Sequence, residues 1–120
     1  MRTRRLTTTA FAILMGLLTG CTSTKVSSLY GWRNYEKNLD AYFRANNSGT
    51  EEQLQSMQND KTVLQGEGKE LPPGYRAHMG LLYGRKGDLE SFRSQLEAEK
   101  QQFPESAGFM DFLMRNLKKP

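Results

Sequence analysis

Apolar positions along the chain follow two kinds of pattern. Ala10 to Leu18 (AFAILMGLL) is unbroken, whereas from Leu29 onward apolar residues recur at helical spacing. In "LYGWRNYEKNLDAYFRANN", the residues Leu29, Trp32, Tyr35, Leu39, Tyr42, Phe43 and Asn46 make one largely aromatic stripe. This predicts a helix from 29 to 46, capped at its start by Ser27 or Ser28 and stopped by Asn46, Asn47, Ser48 and Gly49. Thr50 followed by Gln53 fits a capping box, and the helix it opens carries Leu54, Met57, Lys61 and Leu64 on one face before Gly66 and Gly68 end it. Glu51 and Glu52 in its first turn agree with the helix macrodipole. The segment "QGEGKELPPG" joins the halves of the chain. Next come a helix over 74 to 85, a Gly87-Asp88 turn, a helix over 88 to 102 and a stop at Pro104. "ESAGFMDFLMRNLKKP" predicts a final helix with Phe109, Phe112, Leu113 and Leu117 on one side. The expected fold class is all-α: antiparallel helical hairpins with a C-terminal capping helix.

Within that pattern, "PGYRAHMGLLYGRKGDLESFRSQLEAEKQQFPES" resembles one tetratricopeptide repeat. Gly80 stands at the small position where two helices cross, Tyr83 at the aromatic position after it, Gly87 and Asp88 at the turn, and Pro104 at the end of the unit. Arg76, Met79 and Phe92 depart from the repeat, which usually has a large aromatic, leucine and alanine there. A phenylalanine at 92 implies either that the two helices close less tightly or that Gly80 makes room for the ring.

The unbroken run has another explanation. Arg2, Arg4 and Arg5 precede it, and it is too short to cross about 30 Å of hydrocarbon, which needs about 20 residues. Basic start and short apolar run together read as a signal peptide. Its end, Leu18-Thr19-Gly20-Cys21, resembles the bacterial lipoprotein signal. That resemblance implies cleavage before Cys21 and acylation of its thiol, with two or three acyl chains enough for stable anchoring. Thr22, where an aspartate would resemble an inner-membrane retention signal, resembles the outer-membrane class. The domain organisation expected is therefore a signal peptide over 1–20, a polar tether over 21–28 and a helical domain over 29–119, held at the outer membrane and facing the periplasm.

Charge changes meaning once the leader is set aside. The 120 residues carry a formal +4, but without the three leader arginines 14 basic side chains stand against 13 acidic ones. The basicity is an export feature and gives no ground for a nucleic-acid partner. One cysteine and one histidine exclude an internal disulfide and any cysteine- or histidine-rich metal site, so neither metal nor cofactor is expected. "QGEGKELPPG" lacks the spacing of a phosphate-binding loop. His78 has no carboxylate beside it to orient a base, and Asp88, Glu90, Glu97 and Glu99 alternate with Arg93 and Lys100 as on a wetted helix face. No catalytic residue emerges, and the chain is not expected to be an enzyme.

Interaction chemistry is what remains. Trp32, Tyr35 and Tyr42 either pack between helices or line a groove for a protein partner, and Met110 and Met114 either complete the core or join a docking surface. With "SLYGWRNYEKNL" and "GLLYGRKGD", the chain resembles a family of small proteobacterial outer-membrane lipoproteins encoded beside a lipoprotein similar to the curli secretion channel. The resemblance implies an accessory or assembly role among envelope lipoproteins, including that channel-like protein. A glycan-binding or wall-modifying lipoprotein is the alternative, and it predicts a cleft with Tyr or Trp beside an accessible carboxylate.

Overall fold

A computed structural model describes residues 26–44 and 49–117. Cys21, with Leu18, Thr19 and Gly20 before it, lies outside the described residues. Among the described residues the chain is all-α, with helices α1 (Tyr35–Arg44), α2 (Thr50–Gly66), α3 (Tyr75–Arg85), α4 (Leu89–Gln102) and α5 (Ala107–Asn116), and a 3₁₀ turn over Pro104–Ser106. They pack as adjacent antiparallel pairs, α1 with α2 and α3 with α4, and α5 lies against the second pair.

The first helix begins later than its stripe predicts. Leu29 to Gly31 run extended beside Glu70: Gly31 N–H donates to the Glu70 carbonyl at 3.1 Å, and Glu70 N–H donates to the Leu29 carbonyl at 3.0 Å. These long-range backbone bonds compete with helix and win. The cap is not Ser27 or Ser28 but Asp60 of α2, whose carboxylate accepts from Asn34 N–H at 3.1 Å and from Arg33 Nε at 2.9 Å. Arg33 sits at φ 37°, a left-handed conformation costly for a side-chain-bearing residue, and its bond to Asp60 helps hold it there. At the start of α2 the cap is Gly49 rather than Thr50, and Gln53 turns inward to a buried position instead of reaching back.

The α3–α4 hairpin follows its sequence closely. Gly87 takes φ 81° in the turn, and Asp88 caps α4 by accepting from Ser91 N–H at 3.0 Å; hydrogen bonding from the Ser91 side chain, and then from its backbone, holds the Asp88 carboxyl below the usual range. Gly80 lies where α3 crosses α4: a Cβ there would stand 3.3 Å from the Phe92 carbonyl oxygen and from Leu96 Cδ2. The Phe92 ring itself is received one turn further on, at Gly84, whose Cβ would lie 3.3 Å from the ring. Two glycines on one face of α3 therefore allow a phenylalanine where the repeat usually has alanine.

Helix α3 is buried on opposite sides. Tyr75, Met79 and Leu82 join Tyr35, Leu54, Met57, Leu64 and Leu71 in one cluster, while Ala77 joins Phe92, Leu96 and Met110 in the other. Tyr83 packs against both, and its hydroxyl accepts from Gln58 Nε2 at 2.8 Å. In the first cluster the buried Tyr75 hydroxyl donates to the Met57 carbonyl at 2.6 Å, and burial pushes its pKa up.

Candidate functional site

The aromatic residues of α1 divide between core and surface. Tyr35 is buried against Tyr75, with ring centroids 5.1 Å apart, and burial raises its pKa. Trp32 stacks on Tyr35 at 6.2 Å and stays half-exposed. Tyr42 is half-buried: the Arg85 guanidinium lies 3.6 Å from its ring centroid, the His78 ring meets it edge-on at 4.8 Å, and Phe43 meets it edge-on at 5.4 Å. Phe43 itself is 77% exposed.

Helix α5 turns out differently from its predicted stripe. Met110 is buried, and Leu113, Met114 and Leu117 pack beside it, so most of Met110 is core even where its edge meets the surface. Phe109 and Phe112, expected to face inward, are 61% and 51% exposed and stack on one another at 6.3 Å. The spacing 110, 113, 114, 117 is itself a helical core stripe and was a usable sequence signal for this outcome.

Between α1 and α5 a groove of about 330 Å³ opens over α3. Phe43, Tyr42 and Leu39 wall it on one side and Phe109 and Met110 on the other, with Ala77, His78 and Leu81 along the floor. Phe103, Glu105 and Ser106 close the end nearest Gly74. Two polar groups of the groove, Glu99 and His78, are enclosed beneath its surface. Glu99, only 2% exposed, accepts from Gly74 N–H at 2.6 Å and from Arg76 N–H at 3.2 Å, so a carboxylate of α4 caps the start of α3. Gly74 sits at φ 85°, and a Cβ there would come 2.9 Å from the Tyr35 hydroxyl.

His78 is 3% exposed and lies off the wetted surface of α3. Burial, and to a smaller degree the Arg85 charge, push its pKa down to about 4, so the imidazole is neutral at physiological pH. Its Nε2 is buried without a hydrogen-bond partner. Among the described residues no cluster of His, Cys, Asp or Glu could hold a metal ion. No described helix is long and apolar enough to cross a membrane.

Residues 29–113 match the family model described as a domain of unknown function, DUF4810. The chain belongs to the DUF4810 family. Comparison with curated proteins and with solved structures gives no match. In this DUF4810 chain the matched span takes in the Leu29–Gly31 backbone pairing, α1 to α4 and α5 as far as Leu113, and with them both walls of the groove. The DUF4810 span also contains Asp60 and Glu99, two carboxylates that fix helix starts across 26 and 25 residues of sequence.

Proposed function

We propose that this chain is a lipid-anchored periplasmic interaction module, an accessory of an outer-membrane lipoprotein complex. The carrying observation is the groove walled by Phe43 and Phe109, two phenylalanines left largely in water on either side of an apolar floor. A chain that needed only its own stability would bury such rings, since each forgoes about 1.5–3 kcal/mol by staying out. The anchor rests on the basic start, the short apolar run and Leu18-Thr19-Gly20-Cys21. The partners are other envelope lipoproteins, with the channel-like lipoprotein of the family resemblance as first candidate, and lipid through an acylated Cys21. Glycan binding fits less well: a sugar needs several converging polar groups beside the rings, and with Glu99 spending its oxygens on backbone N–H groups, Glu105 is the one accessible carboxylate among the groove residues.

The test is in-membrane cross-linking followed by purification of the tagged chain. Recovery in a stable assembly with other lipoproteins is the expected result, and monomer alone refutes the interaction role. The mass of the N-terminal peptide reports on anchoring separately: acylated Cys21 is expected, and a free thiol on a retained leader refutes it.

A further inference from the structure

We propose that the α1–α5 groove is a docking slot for an amphipathic α-helix of a partner protein. That helix inserts two or three large apolar side chains, with a Lys or Arg at the end meeting Glu105 and an Asp or Glu at the end meeting Arg85. The inference deepens the interaction-module reading and rests on it.

The groove's length and ends give the partner's shape. Its floor follows one face of α3 from Gly74 through Ala77 and His78 to Leu81, and Arg85 stands on the same face one turn beyond. From Gly74 to Arg85 that face extends about 16 Å, or three helical turns. Glu105 closes the opposite end, and it is exposed with no ion-pair partner among the described residues. Arg85 is likewise exposed and outside every ion pair among the described residues; its guanidinium lies over the Tyr42 ring. The slot is therefore apolar along its middle, with a carboxylate at one end and a guanidinium one turn past the other.

Backbone chemistry decides between a helix and an extended peptide. The walls and floor are helices whose main-chain groups are bonded internally, so an extended segment would find no ladder to join, while a helix satisfies its own backbone. The opposite charges at the two ends argue against a fatty acid, whose carboxylate could use Arg85 but would leave Glu105 unanswered. The volume, about 330 Å³, suits a few large side chains and not a second layer of core.

The experiment pans a phage library of helical peptides against the full chain reconstituted in lipid nanodiscs, with empty nanodiscs as counter-selection. Enriched peptides should carry apolar residues at i, i+3 or i+4, and i+7, with a cation and a carboxylate about three turns apart. At low salt, Glu105→Lys should weaken the best peptide about tenfold, and exchanging that peptide's cation for Glu should restore it. Phe43→Ser and Phe109→Ser, both at exposed positions, should abolish binding while leaving the helical circular dichroism unchanged. Absence of enriched peptides overturns the slot, as does binding that survives Phe109→Ser or a charge exchange that fails to rescue. Self-association lost in Phe109→Ser, or palmitate displacing the peptide by occupying the groove itself, would assign the face to a second copy or to lipid and overturn it too. If cross-linked assemblies persist in membranes with both serine variants, the slot fails and the interaction-module reading survives.

Discussion

Single side chains carry obligations that the local sequence does not announce. His78 shows in sequence only that no carboxylate stands beside it, whereas in the fold it lies beneath Tyr42 with Arg85 beyond, and it folds as the neutral base. Its folded pKa of about 4 is below the unfolded value near 6.5, so the unfolded chain binds the extra proton between them. The stability His78 confers is therefore complete above pH 6.5 and is lost as pH falls toward 4, by at most about 3 kcal/mol. Denaturant midpoints measured from pH 7.5 to 4 should fall for the parent chain and fall less for His78→Gln; equal slopes would show that His78 is not the group responsible. Gly31 makes a steric demand of the same hidden kind. A Cβ at position 31 would overlap the side chain of Leu64, which is buried in the first cluster, so the core around it would have to shift. Gly31→Ala should cost about 1–3 kcal/mol in urea denaturation, whereas Gly108→Ala, with open space around the position, should be neutral or stabilising.

Among the elements, α3 and α4 were legible because every signal they need is local. The Gly87-Asp88 turn, the Asp88 cap and the Gly80 crossing lie within one hairpin, and propensity, periodicity and turn chemistry agree there. The start of α1 was not legible for the opposite reason. Leu29 and Trp32 keep the helical period, but capping by Asp60 comes from within α2 and backbone pairing with Glu70 from beyond it, and no window of sequence near Leu29 contains them. The same holds for Glu99, which looks like one acid among several on α4 and turns out to close the start of α3. Removing such a partner takes the acceptor from part-buried backbone N–H groups at a helix start, at about 0.5–2 kcal/mol. Glu99→Ala and Asp60→Ala should each destabilise by that order or more in urea denaturation, while Glu97→Ala, whose Lys100 partner also bonds Asp111 at 2.7 Å, should stay within about 0.5 kcal/mol. A Glu99→Ala chain as stable as the parent would remove the cap from the account of how α3 begins.

At the scale of the whole molecule, α3 ties two hydrophobic clusters into one unit. It gives Tyr75, Met79 and Leu82 to the first and Ala77 to the second, and a helix apolar on opposite sides has no amphipathic face from which its neighbours could be read. This is why the groove was hidden in the sequence although its walls were not: Phe43 and Phe109 appear as ordinary members of two stripes, and only the position of α3 beneath them shows which rings remain outside. The shared helix also has a thermodynamic consequence. If each cluster formed independently, damage to the second would leave the first intact; with α3 common to both, neither can open without loosening the other. Trp32, the only tryptophan, stacks on Tyr35 beside the first cluster, whereas Met110 belongs to the second. Met110→Ala should cost about 2–5 kcal/mol and should move the Trp32 fluorescence transition by the same amount as the far-ultraviolet circular dichroism transition. Were fluorescence to keep its parental midpoint while the helical signal shifted, the clusters would be separate cooperative units and α3 would not be the shared wall that holds the groove open.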